Sequence, residues 1–185
     1  MPTQTKHKPT NKELFEKHSY WAHNSLYYLD KFVLGFKDMT PEPHKTVCDF
    51  IQFWNPGINR KLLFMSRKSY KTSCVSVGGP IFDLLNDPND TILILSQERG
   101  YAMGILHQIK KKMTENEQLI AINGHEFKGT SGWKEFEIFI EGRTDWLSKE
   151  PSIGTAGIDS VKAGPHPRKI ILDDPETEDN TSSQN

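Results

Sequence analysis

Short apolar runs alternate with stretches of helical periodicity from Lys61 onward, and that alternation limits the fold more than any other feature of the chain. LLFMS (62–66) and KIIL (169–172) read as apolar strands and TILILS (91–96) as a buried one. Residues 71–85 and the amphipathic stretch ERGYAMGILHQIKKKM (98–113) read as helices, with NDPND (86–90) as the turn after the first. LIAIN (119–123), a turn at GTSGW (129–133) and the strictly alternating EFEIFIE (135–141) predict a hairpin-like region. A further strand is expected within residues 151–159. Strands separated by helices give an α/β fold, a mostly parallel sheet flanked by helices. Ligands of such sheets bind at the carboxyl ends of the strands.

The front of the chain reads differently. Residues 1–12 are polar, and residues 13–36 place aromatic and aliphatic side chains at helical spacings, predicting one or two short helices that pack on the domain. Pro41 and Pro43 mark a turn, with Thr40 as the N-cap of a helix over 44–54. The chain therefore divides into an N-terminal tail and helical segment (1–40), one domain (41–174) and an acidic tail (175–185). No run of eighteen apolar residues exists, so no membrane helix is expected, and MPTQTKHKPTNKE lacks the apolar stretch of a secretory signal. Cys48 and Cys74 form no CxxC pair and read as reduced, partly buried thiols of an intracellular protein rather than as a disulfide or a metal site. The net charge of −1 hides an asymmetry, because five of the 24 acids follow Leu172. Before them, 23 basic residues face 19 acids, a mild excess that permits a nucleic-acid partner without requiring one. The seven histidines have no metal-ligand spacing, and Lys110–Lys112 read as the solvated end of a helix.

Two strand ends carry chemistry. The first apolar run enters SRKSYKT (66–72), a loop ending in Lys71-Thr72 before a helix. The last ends in Asp173-Asp174, 102 residues after Lys71. A lysine and a hydroxyl at a helix N-terminus suit phosphate and Mg²⁺, and paired acids suit a metal and an attacking water. Each half has an ordinary explanation too: a capped helix after a strand, or an Asp favouring a turn. The loop also departs from the phosphate-loop pattern G-x-x-x-x-G-K-[ST], since residues 66–72 contain no glycine. Ser69 and Tyr70 must then serve where glycine would allow positive φ and close approach of backbone N–H groups. It is the pair, in this order and at strand ends, that points to a nucleoside-triphosphate site.

FVLGFKDMTPEPHKTVCDFI (32–51), LLFMSRKSYKTS (62–73), residues 80–113 and GTAGIDSVKAGPHPRKIILDD (154–174) together resemble the large terminase subunits of tailed bacteriophages. Those are DNA-packaging motors with a P-loop ATPase domain of the ASCE type followed by a nuclease domain. The resemblance implies part of an ASCE ATPase core that uses ATP and Mg²⁺. It implies Ser66, Arg67, Lys68, Ser69, Tyr70, Lys71 and Thr72 as the nucleotide-binding loop, with Lys71 on the β- and γ-phosphates. Thr72 and Asp173 would hold Mg²⁺, and Asp174 with Arg67 would be catalytic, Arg67 near the γ-phosphate. His44 or Phe50 would stand in the adenine-reading segment. The implied partners are double-stranded phage DNA, a portal protein, a small terminase subunit and further copies of the chain, in the cytoplasm of an infected bacterium and without a membrane. The family's coupling segment and nuclease domain would follow Asp174, where eleven residues remain. Two other readings stay open: a nucleotide-binding remnant without turnover, and the front part of another ASCE ATPase such as a helicase.

Overall fold

The computed structural model describes residues 10–53, 60–125, 127, 133–145, 147–161 and 166–175. Helix α1 (Asn11–Asn24) begins at a capping box, in which Thr10 Oγ1 accepts from the Glu13 N–H at 3.2 Å and Glu13 Oε2 accepts from the Thr10 N–H at 2.7 Å. Ser25 caps the short α2 (Leu26–Tyr28), which widens into a π-helical turn over Leu29–Val33. The helix expected over 44–54 is shorter: α3 spans Thr46–Gln52. Its approach is irregular because Glu42, between Pro41 and Pro43, has non-helical φ −110° and ψ 128°. Thr40 does stand at the cap position, but its hydroxyl makes no capping hydrogen bond there and donates to Glu42 O instead.

Another π-helical stretch, Ser73–Gly78, leads into α4 (Gly79–Asn86). Pro80 cannot donate a helical hydrogen bond, and a widened turn ahead of it absorbs that loss. Strand β1 (Ile92–Ser96), α5 (Arg99–Glu115) and α6 (Glu117–Asn123) follow. The strand expected at LIAIN is therefore helical. Asn116 caps it by accepting from the Leu119 N–H at 2.9 Å, and Gly124 closes it at φ +81°. Leu119 and Ile122 are three residues apart, so one helical face buries both. Of EFEIFIE only Glu137–Ile138 forms a strand, β2, and residues 129–132 of the expected turn lie outside the described residues. Strands β3 (Ile153–Gly157) and β4 (Lys169–Asp173) complete the sheet.

The sheet order is β2-β3-β1-β4, with β3 and β4 parallel to β1 and β2 antiparallel to β3. The α/β class and the mostly parallel sheet follow. The expected strand at 62–66 does not form. Residues 61–66 alternate between half-buried and exposed, a strand's periodicity, but join no ladder among the described residues. Lys61 is tied elsewhere, donating through Nζ to the Phe50, Ile51 and Phe53 carbonyls at 2.5, 3.0 and 2.8 Å, where it caps the end of α3.

Residues paired in a parallel ladder share a face. Ile92, Ile94, Ile153 and Ile171 therefore form one surface, and Ile81 and Leu84 of α4 and Leu106, Ile109 and Met113 of α5 pack on it. Leu29, Val33 and Leu34 join the same core, so the front helices help to form it. The opposite face presents Ile170 and Leu172, both more than half exposed.

Gly78 makes the tightest approach between these layers. A Cβ there would lie 1.8 Å from Asp30 Oδ1, whereas one at Gly79 would meet nothing closer than the Cys74 carbonyl at 3.6 Å. In urea denaturation, Gly78→Ala is expected to lose about 1–3 kcal/mol by overpacking. Gly79→Ala is expected to be neutral or to gain up to about 1 kcal/mol from helix propensity. Equal effects would contradict the close contact with Asp30.

Candidate functional site

The ladder registers set the site. Ser96, at the end of β1, pairs with Gly157 of β3 and with Asp173 of β4, so the parallel strands finish at one level. Asp173 lies in the ladder and is buried. The strand stops at the next residue because Asp174 adopts φ +45°, a left-handed conformation that Asp tolerates better than most residues. Successive carboxylates of a continuing strand would face opposite ways, but here both reach one ammonium group. Lys71 Nζ is 3.8 Å from Asp173 Oδ1 and directly contacts Asp174 Oδ1.

The two contacts differ in their surroundings. The Asp174 side chain is 78% exposed and that of Asp173 only 5%. An exposed ion pair contributes at most about 1 kcal/mol. The ammonium near Asp173 matters more, because a desolvated carboxylate without a counter-charge is strongly disfavoured.

The preceding loop supplies the lysine's position. Ser69 Oγ donates to Ser66 O at 2.5 Å, closing a tight turn. Lys68 (φ +63°) and Tyr70 (φ +58°) take left-handed conformations without being glycine. Tyr70 stands immediately before the lysine, where the phosphate-loop pattern has its second glycine. Each left-handed non-glycine residue costs about 1–2 kcal/mol. Packing and hydrogen bonding offset that at Tyr70. Its hydroxyl donates to Asp38 Oδ2 at 2.9 Å, and its ring lies 6.1 Å from Phe36 and meets His44 edge-on at 5.7 Å. The bond to Asp38 also holds the phenol above its ordinary pKa. Tyr70 O then accepts from the Cys74 N–H at 2.9 Å, which begins the helix.

The structure thus brings together Lys71, Asp173 and Asp174, with Ser66–Tyr70 in the adjoining turn. Thr72 is half-buried one residue further on, and Arg67 and Lys68 are exposed. No hydrogen bond or ion pair links Arg67 or Thr72 to the two acids among the described residues. His44 is buried, accepts from the Thr40 N–H at 2.9 Å and touches the loop through Tyr70. Phe50 instead lies under the Lys61 ammonium, 5.2 Å from its ring centre. Phe36 and Asp38, which hold Tyr70, are supporting residues that sequence reasoning missed. Nothing in the local pattern marks them, because their role depends on a contact across 32 residues. No protein-family model, curated protein or solved structure matches the chain.

Removing the ammonium separates the two contacts. Lys71→Ala is expected to lower stability at pH 7 by about 1–3 kcal/mol, since it strips the counter-charge from Asp173. Asp174→Ala is expected to change it by less than about 1 kcal/mol. Chemical denaturation of both variants checks this, and an equal loss in the two would place the important contact at Asp174.

Proposed function

We propose that the 66–72 loop and the Asp173-Asp174 strand end form a site for a nucleoside triphosphate with Mg²⁺. In this reading the chain is the ATPase part of a DNA-packaging motor of the large-terminase type. The observation that carries the proposal is the convergence of Lys71 on both acids, 102 and 103 residues further along the sequence, at the carboxyl ends of parallel strands. The left-handed Tyr70 supports it, because that backbone conformation is the one for which the phosphate-loop pattern uses glycine.

The chemistry assigns each group a task. Lys71 leaves Asp174 for the β- and γ-phosphates, and Thr72 and Asp173 are the oxygen donors for Mg²⁺. The ion would supply charge neutralisation at the transferring phosphoryl group. Asp174 orients the attacking water and takes its proton, and Arg67 stabilises charge on the γ-phosphate. DNA, a portal protein, a small terminase subunit and neighbouring copies are the partners of this reading, in the cytoplasm of an infected bacterium. No helix among the described residues is long and apolar enough to cross a membrane. A second reading, nucleotide binding without turnover, is favoured by the glycine-free loop and by the contact that already occupies Lys71.

Titration with a fluorescent ATP analogue and Mg²⁺ tests the site. Lys71→Ala is expected to weaken binding about 100-fold, equivalent to about 2.7 kcal/mol, while Asp174→Ala retains binding and abolishes phosphate release. Equal affinity of the wild type and Lys71→Ala would sink the assignment. Binding by a wild type that releases no phosphate would favour the second reading.

A further inference from the structure

Behind the loop, a carboxyl and two thiols from separate elements meet in the interior. Asp30 comes from the π-helical turn at Leu29–Val33, Cys48 from α3 and Cys74 from the stretch Ser73–Gly78. All three are essentially inaccessible to solvent. One donor atom from each lies within 4.8 Å of the other two. Cys48 Sγ is 3.6 Å from Asp30 Oδ2, and Met39 Sδ is 4.0 Å from Cys74 Sγ. The other carboxylate oxygen, Asp30 Oδ1, is buried with no hydrogen-bond partner, pressed against the backbone at Gly78.

Such a cluster is unfavourable as a purely packed core. A buried carboxylate oxygen without a partner costs on the order of 1–3 kcal/mol, and more if the group is charged.

We propose that Asp30, Cys48 and Cys74 form a structural zinc site that ties the front helices to the helix following the 66–72 loop. Zinc bonds to thiolate at about 2.3 Å and to carboxylate oxygen at about 2.0–2.2 Å, so a tetrahedral centre separates sulfur from oxygen by about 3.5 Å and sulfur from sulfur by about 3.8 Å. The Cys48–Asp30 separation of 3.6 Å fits that geometry, and the three ligand atoms all lie within 4.8 Å of one another. Two sulfurs and one oxygen favour zinc over Mg²⁺ or Ca²⁺, which take oxygen ligands. The three residues supply three of the four tetrahedral positions. Binding releases the two thiol protons and, where Asp30 is protonated, a third. The site is independent of the nucleotide reading, since none of its ligands belongs to the 66–72 loop or the Asp173-Asp174 pair.

The test uses the full chain, unfolded with chelator, refolded with one equivalent of Zn²⁺ and freed of loose metal by gel filtration. Mass spectrometric metal analysis is expected to find about one zinc per chain. Refolding with Co²⁺ is expected to give a near-ultraviolet thiolate-to-cobalt band, lost in Cys48→Ser and in Cys74→Ser. A wild type that refolds by circular dichroism with only background metal overturns the proposal, whether or not the variants fold. It is equally overturned if the cysteine variants keep the full zinc content, or if the refolded, metal-free wild type carries a Cys48–Cys74 disulfide.

Discussion

Burial of β1 between two parallel neighbours governs the arrangement of everything else. Parallel strands cannot be joined by tight turns, so the chain must leave the sheet and cross back before β3 and β4 can pair. Helix α5 lies in the first crossing and covers the face carrying Ile92, Ile94 and Ile153. The same parallel register brings Ser96, Gly157 and Asp173 to one edge. The close approach of Gly157 to α5, where a Cβ would fall 2.8 Å from the Arg99 nitrogen, fixes the helix start against that edge. The position of Asp173 is thus a result of strand pairing, and Lys71 is the element brought to it.

Lys71 arrives through a loop that uses side chains where glycine would be the simpler choice. The left-handed Tyr70 is held by Phe36, His44 and Asp38, all from the region before the loop. The connection from the front helices to α3 therefore braces the loop, while the helices themselves help to form the core. Cys74 extends that brace inward, since it lies one helical turn beyond Tyr70 and faces Asp30 and Cys48.

The sequence is most legible where burial dictates pattern. TILILS and KIIL form strands as their apolar runs suggest, and the amphipathic stretch at 98–113 matches α5 closely. LIAIN misleads because its short apolar run suits a strand or a buried helix equally. Its neighbours decide the matter, with Asn116 capping one end and Gly124 the other. LLFMS misleads for a different reason: a strand needs a partner, and hydropathy does not say whether one is there. Of the candidate site, strand-end placement accounts for the two acids at the end of β4, but the run before Lys71 forms no strand, so its meeting with them does not rest on that rule. The turn at Asp174 that directs both carboxylates to one lysine does not rest on it either, because it depends on a single φ angle. The Asp30–Cys48–Cys74 cluster is invisible at the level of spacing, since its members lie 18 and 26 residues apart.

The Lys71–Asp174 contact means that the loop's lysine already holds an anion, one supplied by the chain itself. Any incoming anion must compete with a carboxylate that the fold keeps at high local concentration. Its apparent affinity is reduced by the fraction of molecules in which Asp174 occupies the lysine. Because Asp174 is mostly exposed, a contact of about 1 kcal/mol or less limits that reduction to roughly fivefold. Added salt then acts in two directions. It screens the attraction of Lys71 for the newcomer and at the same time loosens the internal competitor. Anion capture at this position should accordingly fall less steeply with ionic strength than at a free surface lysine.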